Sequence, residues 1–357
     1  MDKSKNKNPI ICYFGIHDPN FSRNSIFKKG LIENGANIIE CVDRSPGIAK
    51  FFSLFLKHRK IRNSYDFLIV GYTGYLAVPL AKIISKKPVI FDALCTLWES
   101  ETLSHRASYL KQIQTKIIDW LAIKFADVVL VETFAQKKFF EKRFGGQTGK
   151  YRVVYTGADD SIFFSDLSDV KLPKFTVLFR GRLTPESGIE YVLEAANILR
   201  NDDINFRIIG FGILLEETKK KISDLNLKNA ELISNELPFN TLREKMLECR
   251  ISLGQFENNP RLQRTIPHKC FETLAMGMPY ITARTPAVGE LLKDGESCLF
   301  VNLADSKDLA EKILTLKDNL GLMNKIGENG RRVYKEKLAP KILAKNILNI
   351  CDENFKH

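Results

Sequence analysis

Three side chains in this sequence have the types and spacing to hold an anion, Arg182, His268 and Lys269, and Glu272 follows the last of these by one turn. The last three lie in RTIPHKCFETLAMGMP (264–279), which reads as a helix with Pro267 near its first turn and Gly277 at its end. A helix N-terminus already carries about half a positive charge, so His268 and Lys269 are disfavoured there by a few tenths to about 1 kcal/mol. A bound phosphate reverses that sign, since backbone N–H groups and Lys269 then act together. Glu272, one turn on, could accept hydrogen bonds from a ribose diol. Phe271, Leu274, Ala275 and Met278 form the stripe expected to face the core, with Lys269 and Glu272 turned away from it. The plain alternative is a Lys–Glu surface pair worth under about 0.5 kcal/mol. It accounts for the pair but not for cations at a positive helix end.

The second stretch is FRGRLTPESGIEYVLEAANILR (179–200). A strand ends at Phe179, Gly181 permits close backbone approach, and Arg182 at the strand's carboxyl edge can grip a diphosphate in bidentate fashion. An ordinary strand–helix loop with a solvated Arg fits equally. FRIIGFGILLEE (206–217) places Gly210 and Gly212 after a strand, but Leu215 stands where a dinucleotide fingerprint needs its third glycine. In the first half, FGIHDPNFSR puts His17, Asp18 and Arg23 after a strand, and IFDALCTLWESETLSHR does the same for Asp92, with Glu99, Glu101 and His105 following. Each could equally tie down a loop.

The elements that must position these groups are short apolar runs alternating with helix-period segments. The runs at 9–15, 37–43, 65–71, 88–94, 126–133 and 151–157 read as buried parallel strands. Helices at 23–34, 47–62, 75–85, 107–125 and 133–144 connect them. A turn-rich stretch at 158–174 reads as a linker. The pattern restarts with strands at 175–181, 205–212, 230–234, 250–256, 279–283 and 298–302, and helices at 188–200, 214–225, 239–248 and 267–276. Helices continue from about 305 to 354. The reading is two doubly wound α/β domains, 1–160 and 161–335, with a helix at about 336–357 able to pack back on the first. Ligands bind at the carboxyl ends of such strands, and two domains in tandem can face each other across a cleft.

The 357 residues exceed one ordinary core. Hydrophobic content of 44% and a mean hydropathy of −0.15 indicate a soluble globular chain. Lys and Arg exceed Asp and Glu by 54 to 42, a net +12, which favours anionic partners: phosphorylated ligands, anionic lipid or nucleic acid. Seven scattered cysteines without a CxxC pair suggest reduced thiols in the cytoplasm. The polar MDKSKNKNP lacks the apolar core of a signal peptide. The apolar stretch 67–84 is broken by two glycines, a proline and a lysine, and divides into strand, turn and helix rather than a span. AKFFSLFLKHRKIR (49–62) carries five Lys/Arg and no acid, fitting either a helix on an anionic membrane or a crossover helix with a solvated basic end.

GRLTPESGIEYVLEAA, FRIIGFG and IPHKCFETLAMGMPYITARTPAVGELLKDGESCLFV together resemble the retaining glycosyltransferases of family 4, which have the GT-B fold of two Rossmann-like domains; DPNFSRNSIFKKGLIENGANIIE and PVIFDALCTLWES look like a subgroup with an IPxK stretch. The resemblance covers nearly the whole chain. It implies sugar transfer, with retention, from a nucleotide-diphosphate donor such as a UDP- or GDP-sugar. The donor would be held by the second domain and a glycan or lipid-linked acceptor mainly by the first. It implies no metal or other cofactor and a place in surface polysaccharide or glycoconjugate synthesis. Arg182 matches the family's diphosphate arginine and Glu272 the second of its paired glutamates, which holds ribose. Gly210 and Gly212 match the turn beside the nucleobase, and Glu290 falls near the closure of the donor pocket. Gly181, Arg264, Pro267 and His268 join the donor set, while Arg182, Lys269, Arg23 and Asp92 are assigned to catalysis. Two departures stand out. Ser187 replaces a lysine, and Arg264 replaces the first paired glutamate, leaving Lys269 and Arg264 to take over phosphate binding.

Other classes fit less well. No helix-turn-helix, zinc or RNA-sheet motif supports a nucleic-acid partner. A nicotinamide oxidoreductase would need the full glycine fingerprint. A catalytically degenerate nucleotide-sugar binder differs from the enzyme only in turnover. The expected location is cytoplasmic, peripheral to the membrane.

Overall fold

The computed structural model describes residues 8–104, 107–147, 149–165 and 174–355. His105 lies outside them, as do residues 166–173 of the expected linker. The chain divides into two compact units, residues 1–157 with 339–357, and residues 158–338.

In the first unit the elements are β1 (Ile10–Gly15), α1 (Ser22–Glu33), β2 (Asn37–Val42), α2 (Ala49–Ile61), β3 (Phe67–Val70), α3 (Ala77–Ile84), β4 (Val89–Leu94), α4 (Leu97–Glu99), α5 (Tyr109–Phe125), β5 (Val128–Val131), α6 (Phe134–Phe144) and β6 (Tyr151–Val153). In the second they are β7 (Phe175–Arg180), α7 (Ile189–Ile198), β8 (Ile204–Ile209), α8 (Leu215–Asp224), β9 (Ala230–Ile233), α9 (Phe239–Leu247), β10 (Ile251–Leu253), α10 (His268–Ala275), β11 (Tyr280–Ala283), α11 (Pro286–Gly289), β12 (Leu299–Val301), α12 (Ser306–Asp318) and α13 (Leu320–Lys337). Helix α14 (Pro340–Phe355) returns to the first unit, where Asn34 of α1 donates to the Lys341 carbonyl at 2.8 Å.

Each unit holds a six-stranded sheet, ordered β2-β1-β3-β4-β5-β6 and β12-β11-β10-β7-β8-β9, parallel throughout. These are the two doubly wound layers expected from the apolar runs. Central strands such as Phe67–Val70 and Val128–Val131 are buried at every residue, so they show no alternation. In the first unit one core lies under α1 and α14, the other under α2, α3, α5 and α6. The candidate span at 67–84 is β3 followed by α3, and no helix among the described residues is long and apolar enough to cross a membrane.

The expected linker is in part packed structure. Phe163 is buried, with its ring 6.0 Å from that of Phe239, and the Tyr334 hydroxyl donates to the Ala158 carbonyl at 2.8 Å. Its polar composition hid one large apolar anchor.

The strand order reverses between β10 and β7 in the second sheet. Ligands of open α/β sheets sit at such a reversal, outside the carboxyl ends of the strands.

Candidate active site

Lys269 reaches that point of reversal. Its Nζ donates to the Gly254 carbonyl just after β10 at 3.1 Å and stands 4.0 Å over the ring of Phe179 in β7. A Cβ at Gly181 would lie 3.4 Å from Lys269 Cε, so the loop after β7 passes directly over this side chain. Burial, then the nearby Arg180 charge, push the Lys269 ammonium well below its usual range, against the pull of Glu272. No carboxylate forms an ion pair with it among the described residues. Lys269 is thus a buried cation with one neutral partner.

The outward-facing placement of Lys269 and Glu272 is corrected. All residues from Lys269 to Ala275 are buried, because α10 is covered along its length. The two side chains also do not pair with each other. One Glu272 oxygen accepts from the Arg180 guanidinium, and the other lies 3.1 Å from His268 Nδ1. Burial alone would raise this carboxyl, but the Arg180 charge and His268 outweigh it and hold it at about 2. A carboxylate depressed in the folded state contributes stability above its unfolded value, and that contribution is lost as the pH falls. Urea-unfolding free energy is therefore expected to drop between about pH 4.5 and 2 by a few kcal/mol more in the native chain than in Glu272→Gln. Parallel curves for the two proteins would remove Glu272 from that role.

Arg182 is exposed, its guanidinium 5.7 Å from the Phe211 ring centroid, with no ion pair among the described residues. Gly210 and Gly212 brace the two loops. A Cβ at Gly210 would fall 2.4 Å from the Gly181 carbonyl, and one at Gly212 (φ +148°) 2.5 Å from that of Leu183. Leu183 N–H donates to the Phe211 carbonyl at 2.9 Å, fastening the same pair of loops. Pro267 is the residue before α10, with φ −58° and ψ 132°. Arg264 is half-buried, and Glu290 closes α11. Ser187 is fully buried, its hydroxyl accepting from Ile189 N–H at 3.3 Å.

The remaining candidates belong to the first unit. Arg23 and Asp92 have no exposed surface, and Arg23 Nε donates to both Asp92 oxygens at 2.8 and 2.9 Å. The same guanidinium donates to the Val154 carbonyl and the Thr156 hydroxyl, both at 3.0 Å. Burial raises the Asp92 carboxyl despite this partner, and Glu132 adds to the rise. A pair buried in this way fastens α1 to β4 and to the chain after β6. His17 is buried beside Tyr13, and burial lowers its imidazole to about 4. Asp18 accepts from Asn20 N–H at 3.0 Å and pairs with Arg44 at 3.2 Å. Glu99 is buried, accepting from the Thr96 hydroxyl at 2.8 Å; Glu101 is half-buried.

Sequence reasoning missed Arg180 and Glu186. Arg180 looked like an ordinary strand residue, although its place two before Arg182 in FRGR hinted at a shared edge. Glu186 is buried and lies 3.5 Å from Arg261, joining the loop after β7 to the segment before α10.

Residues 164–333 match the family model described as glycosyl transferases group 1. Among curated relatives, a glycosyltransferase of Methanocaldococcus jannaschii is 28% identical over 184 residues, covering 52% of this chain and 48% of its own length. The capsular polysaccharide biosynthesis glycosyltransferase CapM of Staphylococcus aureus is 23% identical over 294 residues, covering 78% and 73%. The chain spans about half the length of the first of these. Among solved structures, Anabaena HepE in complex with UDP and glucose superposes with a TM-score of 0.72 at 15% identity, covering 96% of this chain and 99% of HepE. Sucrose-phosphate synthase from Thermosynechococcus elongatus gives 0.73 at 14% identity, covering 98% and 100%. The chain has the GT-B fold of these glycosyltransferase structures, and the group 1 pattern falls on the unit that carries Lys269, Arg182 and α10.

Proposed function

We propose that this chain is a retaining glycosyltransferase of the family 4 type, acting on a nucleotide-diphosphate sugar. The observation that carries the reading is Lys269, a buried lysine with no ion pair among the described residues, at the strand reversal of the second sheet. A diphosphate there would meet Lys269, the N–H groups opening α10 and the exposed Arg182, with Arg264 beside them. In the reaction the bond from the anomeric carbon to the diphosphate oxygen breaks, and that oxygen takes the electron pair. The acceptor hydroxyl forms the new bond on the same face and passes its proton to the departing phosphate. Arg182, Lys269 and the helix end stabilise the charge that develops on the leaving group. A ribose diol at Glu272 would share a carboxylate already engaged by Arg180 and His268, using its remaining lone pairs.

The names of CapM and of the amylovoran biosynthesis glycosyltransferase AmsK of Erwinia amylovora favour a polysaccharide or lipid-linked glycan as acceptor, and HepE favours a UDP-sugar over a GDP-sugar. Seven free, buried cysteines agree with a cytoplasmic place.

The test is a thermal-shift screen across UDP- and GDP-sugars. A donor at a hundred times its Kd stabilises by about 2.7 kcal/mol. Arg182→Ala is expected to remove most of that shift, and a shift unchanged in the variant takes Arg182 out of the site. Ser187 and Arg264, at places where the family carries a cation and an acid, favour a second reading, a binder without turnover. Release of nucleoside diphosphate when acceptor is added separates the two.

A further inference from the structure

Helix α5 carries a second apolar stripe besides the residues Ile118, Ala122, Ile123 and Phe125 that meet the core. Leu110, Ile113, Ile117 and Trp120 follow helical spacing along one face, yet each is between 40% and 79% exposed. Its buried face carries Thr115, Asp119, Ala122 and Ile123. The Asp119 carboxylate accepts from the Leu97 and Trp98 N–H groups at 2.8 and 3.0 Å, so a polar anchor holds the inner side. Neighbouring helices on the same layer add exposed apolar side chains. α3 packs between α2 and α5. Ile83 of α3 is 75% exposed and Phe52 of α2 is 66% exposed, while of the apolar residues in α2 only Leu54 is buried.

Charge runs with the apolar residues. α2, α3 and α5 carry eight Lys or Arg and a single acid, the buried Asp119. Lys57 and Lys82 pair with Asp43 and Asp127; the other six cations have no ion pair among the described residues. Lys124 stands 4.5 Å over the Trp120 ring, at the edge of the stripe.

We infer that the α2–α3–α5 face of the first unit docks on an anionic lipid surface. The apolar stripe enters the headgroup–acyl boundary and the flanking lysines meet the lipid phosphates. Charge selects this occupant. A second copy on the same face would bring two sets of unpaired cations together. A nucleic acid would satisfy the lysines but leave Leu110, Ile117 and Trp120 in water. Trp at such a boundary has its ring in apolar surroundings and its N–H in water.

The experiment is flotation of the full chain with phosphatidylcholine vesicles containing 30% phosphatidylglycerol, at low and high salt. Binding to these vesicles is expected, weakening with salt and absent for pure phosphatidylcholine. Ile117→Ser/Trp120→Ser should bind at least about tenfold more weakly, and Lys111→Gln/Lys124→Gln weaker by about fivefold per lysine. Because all four positions are exposed, circular dichroism and melting temperature should match the native chain. Should a variant fail to fold, a spin-labelled acyl chain quenching the tryptophan emission of the native chain gives an independent reading. Failure of the native chain to float with anionic vesicles, or undiminished flotation of the Ser variant, overturns the inference. Retention of a 20-base-pair duplex that survives the Ser substitutions assigns the face to nucleic acid instead. A dimer that the Ser substitutions dissociate, without vesicle binding, assigns it to a second copy.

Discussion

Lys269→Met is expected to lower sugar transfer by about 10²–10³-fold, the usual cost of losing one preorganised charge-stabilising donor. It should also abolish the nucleotide-induced thermal shift while leaving the melting temperature of the free protein unchanged or higher. The two halves have one cause. In the free protein Lys269 is buried, hydrogen-bonded to one carbonyl, and repelled by Arg180. A lysine so placed costs stability, whether it keeps a buried charge or gives up its proton, and Met fills the same volume without that cost. With a diphosphate bound, the same side chain gains a counter-charge for its protonated form. Its protonation is then favoured, so binding should take up protons. Calorimetry in buffers of different ionisation enthalpy reads this uptake, which should vanish in Lys269→Met. A large loss of stability in the free variant, with the nucleotide shift intact, would instead make Lys269 a purely structural residue.

Arg23→Met is expected to have the opposite profile, a loss of about 3–5 kcal/mol in unfolding free energy. The substitution removes the partner of a carboxylate with no access to water, along with the donors to Val154 and Thr156. Asp92 is then buried and uncompensated. Replacing both residues, as Arg23→Met/Asp92→Leu, should recover much of that loss, since a buried ion pair is often no more stabilising than apolar groups of similar volume. Urea denaturation of the two variants measures the difference. If Arg23→Met instead kept its stability and lost turnover alone, Arg23 would belong with the reacting groups.

These cases show how far the sequence reaches. Strands such as FLIV (67–70) and VVLV (128–131) are legible because a strand covered on both faces has to be apolar at each position. The unusual charges of the second unit were legible for a related reason. Lys269 at a helix start and Arg182 after a strand are anomalies within a few residues of chain, and local rules detect local anomalies. The pairing of Arg23 with Asp92 was not legible, because a charged residue after a strand looks the same whether it faces a ligand or a partner 69 positions away.

What the sequence by itself determined was the alternation of elements, hence two parallel sheets, and the short stretches that carry unusual charge. Only the tertiary structure decided how those charges are spent. It gave Glu272 to Arg180, 92 residues earlier in the chain, rather than to its neighbour Lys269. It also turned one apolar stripe of α5 outward, by anchoring Asp119 on the backbone that follows β4. The physical reason is the same in both. Periodicity records which residues share a face, but whether that face meets protein, ligand or solvent depends on elements brought against it from distant parts of the chain.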